Sequence, residues 1–291
     1  MTEARTTVVI ATRNRAGTLA TTLRRLLALR PRPPIIVLDN DSTDATWDML
    51  GVLARRHDGV SVFRLGRNLG AAARNLGVLA AQTPYVAFSD DDSWWAPGAL
   101  TEAEAVFDKC PAVGLIAGQT VVEPLGAVDP TSQAMADSPL SDGDGLPGRE
   151  VLGFLAYTAI VRRSAFLDAG GFSRMLHLGA EEKLLAVDLA ARGWRLRYVP
   201  EVRAHHEPAE RDDADHAHRR ALVLRNDTLI CVLRRPTGTA WRSGLSLAGS
   251  ATRDPRAARA FAGLVRRLPA ALRHRSRLPT EVEHNVRLLE R

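Results

Sequence analysis

A parallel β-sheet covered by helices on both faces is the architecture the N-terminal third predicts, and three observations predict it. Short β-branched and aliphatic runs alternate with segments of helical periodicity over about 90 residues. The apolar runs are short enough to be buried strands. Polar clusters follow three of them, at 12–15, 39–44 and 90–92. In such sheets ligands sit beyond the carboxyl ends of the strands, so these clusters are expected to meet in one crevice.

The elements follow in order. Thr7–Ala11 is an apolar run expected as the first strand, broken by Thr12-Arg13-Asn14-Arg15. Leu19, Leu23, Leu26 and Leu27 then recur at helical spacing, and prolines 31, 33 and 34 end that helix. Ile35–Leu38 is the second strand, and Ser42 or Thr43 can cap a helix reaching about Arg56. Val60–Leu65 is a third strand, Gly70–Gln82 an alanine-rich helix, and Tyr85–Ser89 a fourth strand running into Asp90-Asp91-Asp92. Residues 126–148, rich in Gly, Pro, Ser and Asp, predict a long mobile loop. Further on, the pattern predicts a strand over Thr158–Val161, a turn at Gly170-Gly171-Phe172 and a helix over Glu181–Arg192. An edge or return strand over Trp194–Val199 and a helix over Arg219–Arg234 complete the reading.

Composition narrows the class. The 291 residues are 45% hydrophobic and 25% charged, ordinary for a globular chain of one large domain or two small ones. No uncharged apolar stretch is long enough to span a bilayer, and no apolar leader core precedes the first strand. A cytoplasmic setting is therefore expected, with peripheral contact at the inner face of the membrane left open as one of two readings of the tail helix. Cys110 and Cys231 stand far apart and give neither a disulfide framework nor a multi-cysteine metal site. The net charge of +6 is lopsided: 13 arginines against four carboxylates from Arg234 onward leave that tail at +9 and residues 1–233 at −3. A slightly acidic body without a nucleic-acid motif predicts no nucleic-acid partner.

Asp90-Asp91-Asp92 carries the chemistry. In an extended segment two carboxylates at i and i+2 point the same way. A hard divalent cation takes oxygen ligands and bridges one or two carboxylates to substrate phosphates. At this point the chain resembles the family 2 glycosyltransferases. The matching stretches are VVIATRNRAGTL, IIVLDNDSTDAT, NLGAAARNLG, FSDDDSWWAPGAL, GGF, GAEEKLLAVDLAARGWRLRYVP and the histidines at 205–206. They occur in family order across most of residues 6–235.

The resemblance implies a GT-A fold: a Rossmann-like, mostly parallel sheet flanked by helices. Residues 1–235 would form it, with a nucleotide-binding half over about 1–100 and an acceptor half over about 101–235. Residues 236–291 would be a basic, partly helical extension. It implies an inverting transferase that uses a nucleotide-diphosphate sugar, UDP or dTDP favoured, and Mg²⁺ or Mn²⁺. The acceptor would be a saccharide, a lipid-linked carrier or a small molecule. Carried over by residue, Asp39 would hydrogen-bond the nucleobase, Thr12 and Arg13 would line the nucleotide pocket, and Arg74 would lie near the base or phosphates. Asp90 and Asp92 would be the outer members of the metal-binding DXD motif, with Asp91 between them. His205 would complete the metal or diphosphate site. Gly171 would let the backbone approach the donor sugar. Glu182 matches the catalytic base, with Glu181 beside it as the rival. In a single in-line displacement the acceptor hydroxyl needs one carboxylate within reach, and metal and arginine neutralise the leaving diphosphate.

Three departures from the family pattern stand out: Leu184 where an acid often follows the base, Asp41 for the glycine of DNGS, and Ala11 for a proline. Leu184 leaves a non-catalytic, degenerate transferase as the alternative. A nucleotidyltransferase is disfavoured, because ATRNRAGT has a single glycine. Trp94 and Trp95 either border the sugar site or pack. His216 and His218, with Asp212, Asp213 and Asp215, are read as a solvated loop rather than a second metal site. From Pro255 to Arg275, Phe261, Leu264, Val265, Leu268 and Leu272 fall on one helical face and arginines on the other. That pattern suits either a membrane surface or docking on the domain.

Overall fold

A computed structural model describes residues 4–140, 145–208 and 213–290, without the side chains of 213–218. The alternating segment forms β1 (Thr6–Thr12), α1 (Ala16–Leu27), β2 (Ile35–Asp39), α2 (Thr46–Arg56), β3 (Val60–Arg64), α3 (Ala73–Ala80) behind a 3₁₀ turn at Gly70–Ala72, and β4 (Tyr85–Ser89). Then come β5 (Ser93–Trp95), α4 (Ala99–Lys109), β6 (Val113–Val122), β7 (Ala127–Val128), α5 (Pro130–Ala136), β8 (Arg149–Glu150), β9 (Ala159–Arg162), α6 (Arg163–Asp168), α7 (Glu181–Ala191) and β10 (Arg195–His206). Four helices close the described chain: α8 (Asp213–Arg234), α9 (Thr237–Ala251), α10 (Pro255–Arg273) and α11 (Thr280–Leu289).

The main sheet runs β3-β2-β1-β4-β9-β6-β10-β5, with β7 on β6 and β8 on β10. The first four strands are parallel, as is the β6–β10 pair, while β9 runs antiparallel between β4 and β6. Alternation along each strand splits the core into two layers. Val8, Ile10, Val37 and Ile116 pack with α1, α2 and α4 on one face. Val9, Ile36, Leu38, Leu115 and Ala117 pack with α3, α6 and α7 on the other. Leu19, Leu23 and Leu26 are fully buried, so the leucine spacing of α1 does mark its inner stripe.

The structure differs from the sequence reading in several places. The predicted loop over 126–148 contains β7 and the helix α5, whose Asp129 side chain caps Thr131 N at 2.7 Å. The strand at 194–199 is neither short nor an edge: β10 runs to His206, with β6 on one side and β5 and β8 on the other. Its register across β6 is interrupted between Val199 and Arg203, which ends the apolar pattern the sequence displays. Residues 213–218 are helical backbone at the start of α8, not a loop, whereas Asp212 lies outside the described residues. Leu184 is buried with Leu176, Val187, Leu229 and Leu233, so α7 packs on α8 through the position where the family often has an acid.

The segment between α6 and α7 is held by α8. His177, Gly179 and Ala180 all have positive φ, at 66°, 88° and 62°. Such backbone persists only where the surroundings hold it. The side chain of Asn226, fully buried, donates from Nδ2 to the carbonyls of Leu176 and Leu178, each at 3.0 Å, and of Gly179 at 2.5 Å. Arg225 adds a bond from Nη2 to Leu176 O at 2.8 Å and orients the amide through Nε to Asn226 Oδ1 at 2.9 Å. Removing the amide takes this donor from the carbonyls of Leu178 and Gly179, each worth about 1–3 kcal/mol, while Leu176 O keeps Arg225. Asn226→Ala is expected to lower unfolding stability by about 3 kcal/mol in urea titrations at unchanged m-value; a loss below about 1 kcal/mol would mean the loop holds itself.

Candidate functional site

The carboxyl ends of β1, β2 and β4 lie side by side, with Thr12 opposite Asp39 and Ile10 opposite Ser89. Beyond them opens a cleft of about 320 Å³, lined among others by Thr12, Arg13, Arg15, Asn40, Arg74, Asp90, Asp91 and Asp92. The three polar clusters of the sequence thus meet. The far wall brings residues the sequence reading does not anticipate: Gly70, His177, Leu178 and, from α8, Arg219. At Gly70 (φ +60°) an added Cβ would lie 2.1 Å from His177 O, so only glycine lets the two walls approach.

Residues 90–92 are a turn between β4 and β5, not an extended segment, and this changes what each carboxylate does. Asp90 pairs with Nη2 of the buried Arg74. Asp91 accepts from Thr12 Oγ1 at 3.0 Å, while its backbone carbonyl accepts from Thr22 Oγ1 at 2.9 Å. Burial, then the charges of Asp90 and Asp92, push the Asp91 carboxyl up to about 7. Asp92 is buried, with Oδ1 3.4 Å from Nε2 of His206.

Strand alternation decides between the two histidines. His206 faces the carboxylates and stacks on Tyr157 at 4.4 Å. His205, the expected ligand, points to the opposite face of β10: Nδ1 lies 2.8 Å from Glu123 Oε1, and the ring stacks on Trp94 at 5.4 Å. The Arg25 guanidinium also lies over the Trp94 ring, 3.5 Å from its centroid, and Trp95 is core, so both tryptophans pack and neither is among the residues that line the cleft.

Two other expected residues sit behind the cleft wall. Asp39 is fully buried; its carboxylate accepts from the backbone N and the hydroxyl of Ser42 and lies 3.7 Å from Arg64. Asp41, at φ +64°, turns the chain so that Ser42 can reach back, which a short polar side chain tolerates. The neighbouring Asn40 lines the cleft instead, donating to Gly70 O at 3.2 Å and accepting from Leu69 N at 3.0 Å. Gly171 does not approach the cleft. An added Cβ there would meet Phe166 and Asn75, whose side chain brackets Phe172 with 2.8 and 2.9 Å bonds.

Glu181 and Glu182 open α7 directly after the clasped loop. Glu181 is buried and Glu182 partly so, and Glu181 Oε2 and Arg74 Nε are both buried without a hydrogen-bond partner. Burial raises both carboxyls, Glu182 to about 7 with Glu181 adding to the shift, while Arg74 pulls the other way. Among the described residues, no three His, Cys, Asp or Glu side chains are arranged to hold a metal on their own. The Asp92–His206 pair at the cleft does offer one oxygen and one nitrogen. That donor set fits a cation whose remaining ligands are phosphate oxygens and water.

The glycosyl transferase family 2 model matches residues 7–169. The pre-mycofactocin glycosyltransferase of Mycobacterium tuberculosis is 32% identical over 202 residues, covering 67% of this chain. The chain spans only 41% of that relative's length. The N-acetylglucosaminyl-diphospho-decaprenol L-rhamnosyltransferase of the same organism is 26% identical over 68% of this chain and 76% of its own. Among solved structures, the mannosyltransferase PcManGT from Pyrobaculum calidifontis, in complex with GDP-Man and Mn²⁺, superposes with a TM-score of 0.64 at 19% identity, covering 99% of this chain and 87% of that one. S. aureus TarS 1–349 in complex with UDP-GlcNAc gives 0.61 at 18% identity over 78% of this chain and 66% of that one. The sheet order, the cleft at its strand ends and these matches agree: the fold is that of the GT-A glycosyltransferases, and the chain belongs to glycosyl transferase family 2.

Proposed function

We propose that this glycosyltransferase moves a sugar from a nucleoside-diphosphate sugar, UDP or dTDP favoured, to an acceptor hydroxyl in one inverting, in-line displacement. The observation that carries the reading is Arg74, which lines the cleft, pairs with Asp90 and acts through space on the raised Glu181–Glu182 pair, itself not among the residues that line the cleft. Arg13, Arg15, Arg74 and Arg219 line the cleft and would meet the diphosphate as its charge grows on departure. Asn40 and Thr12 would seat the nucleoside end.

Asp92 and His206 would hold the divalent cation, Mg²⁺ or Mn²⁺, with Asp90 free to join when Arg74 turns to phosphate. When bound, the cation would add positive charge against the diphosphate. The complex of one neighbour supports divalent-metal use: Mn²⁺ accompanies GDP-Man in PcManGT. The acceptor is a saccharide, a lipid-linked carrier or a small molecule.

Glu182 would take the hydroxyl proton. A base whose pKa lies near the working pH combines an adequate ionised fraction with a useful affinity for the proton. Burial, and then the charge of Glu181, keep Glu182 high, while Arg74 pulls it down. The burial of Leu184 bears on the degenerate alternative: that position fills core, so the missing acid is no sign of a decayed site.

Two experiments test this reading. Glu182→Gln should retain nucleotide-induced thermal stabilisation and lose transfer by at least about 100-fold. In the wild type kcat should rise with pH through about 7, because the folded-state pKa is raised and the base works only when ionised. Normal transfer by the Glu182 variant would move the base to Glu181. Separately, thermal shifts with UDP, dTDP, GDP and CDP, with Mn²⁺ or with EDTA, should give a metal-dependent rise for one nucleotide. Asp92→Asn and His206→Ala should abolish that rise and His205→Ala should keep it; the opposite histidine result would return the ligand to His205.

A further inference from the structure

The tail helices dock on the domain, yet α10 keeps a second apolar face. Ala257, Ala260, Leu264 and Ala271 are buried against the domain, so its inner stripe is made mainly of small residues, not of the leucine-rich face the sequence displays. Val265 and Leu272 remain 51% and 55% exposed. With the exposed Ala258 they form a row at seven-residue spacing. One position further round runs a second row at the same spacing: Arg259, Arg266 and Arg273, all exposed. Exposed Ala262 and Pro269 lie between the rows, and half-buried Phe261 and Leu268 border the apolar row on the domain side.

These arginines have no carboxylate partner among the described residues, and α10 itself contains no acidic residue. The adjacent α9 exposes Trp241 and Leu245, one turn apart, at 71% and 58%, with the exposed Arg242 next to Trp241 in the chain. No helix of the described chain is long and apolar enough to cross a membrane. An exposed apolar row edged by uncompensated arginines matches a helix lying in the plane of an anionic interface, with aliphatic stems buried and guanidinium heads at the phosphates.

We propose that the outer face of α10 docks the enzyme on an anionic phospholipid surface, with Val265 and Leu272 entering the acyl boundary and Arg259, Arg266 and Arg273 binding headgroup phosphates. The face is tied to the cleft. Arg267 Nε donates to Met175 O at 3.1 Å, and Gly263 packs on Arg225, which itself bonds Leu176 O. The helix that touches the bilayer therefore also braces the loop bordering the donor cleft. Neither the donor nor the base assignment enters this argument.

Co-sedimentation of the full chain tests it, with vesicles of mixed phosphatidylglycerol and phosphatidylcholine and vesicles of phosphatidylcholine alone. The wild type should bind the first, release with added salt and ignore the second. A juxtamembrane arginine is worth about fivefold in partitioning, so Arg259→Gln/Arg266→Gln/Arg273→Gln should weaken binding about 100-fold. Val265→Ser/Leu272→Ser should weaken it at least tenfold, whereas Arg55→Gln/Arg56→Gln on α2 should not. All substituted side chains are exposed or half-exposed, so melting temperature and nucleotide-induced stabilisation should hold, separating loss of docking from loss of fold or donor site. Wild-type chain that stays in the supernatant with both vesicles overturns the proposal. So does equal weakening by the α2 control, which would make the attraction one of net charge. Light scattering that finds a dimer split by Val265→Ser/Leu272→Ser, with no vesicle binding, would assign the face to a second copy of the chain.

Discussion

Three consecutive carboxylates at the end of a buried strand repel one another, and the site is arranged around relieving that repulsion. Side by side at a low-dielectric surface, they could not all stay ionised without separate partners. The turn at 90–92 sends them apart: Asp90 to Arg74 on α3, Asp91 to Thr12 on β1, Asp92 to His206 on β10. Asp91 has only the Thr12 hydroxyl against it, and burial, with the charges of Asp90 and Asp92, raises its carboxyl to about 7. Each contact needs a different element in register, so the parallel order β2-β1-β4 and the return of β10 beside β5 are both conditions of the site.

The same logic governs the second acidic pair. Glu181 and Glu182 start α7, where the helix dipole favours negative charge, but burial outweighs it and both carboxyls rise, Glu182 further under the charge of Glu181. Arg74 serves both clusters, neutralising Asp90 directly and acting on the glutamates through space. Its unpartnered Nε and the unpartnered Glu181 Oε2 leave buried hydrogen-bonding capacity beside the cleft. A ligand oxygen or hydroxyl would use that capacity.

What the sequence made legible is the part with strict periodicity. The four parallel strands, their helices and the meeting of residues 12–15, 39–44 and 90–92 follow from alternating apolar runs. Facing is less legible than location. His205 and His206 are adjacent, and only the pairing of His206 with Ser93 and His205 with Trp94 decides which ring meets Asp92. Asp39 and Asn40 differ in the same way, one closed beneath Ser42 and the other on the wall. β6 eludes periodicity because VGLIAGQTVV is buried on both faces over its first half and broken by two glycines. The clasp by Asn226 joins positions about 50 residues apart, and nothing local announces it.

The C-terminal helices are more than an appendage to this site. Arg235, buried, binds Glu283 and Glu290 and pins α11, while Arg234 pairs with Asp188 and ties α8 to the far end of the acidic helix. α8 carries both the Asn226 clasp and Arg219 of the cleft wall, so whatever fixes α8 fixes the pocket. α10 braces α8 through Gly263, where an added Cβ would stand 2.9 Å from Arg225 Cδ. That close approach suits an inner stripe made mainly of alanine and glycine, with Leu264 as its one large buried residue. Val265 and Leu272 lie on the other face, so a single helix both braces the loop at the cleft and carries the exposed apolar row.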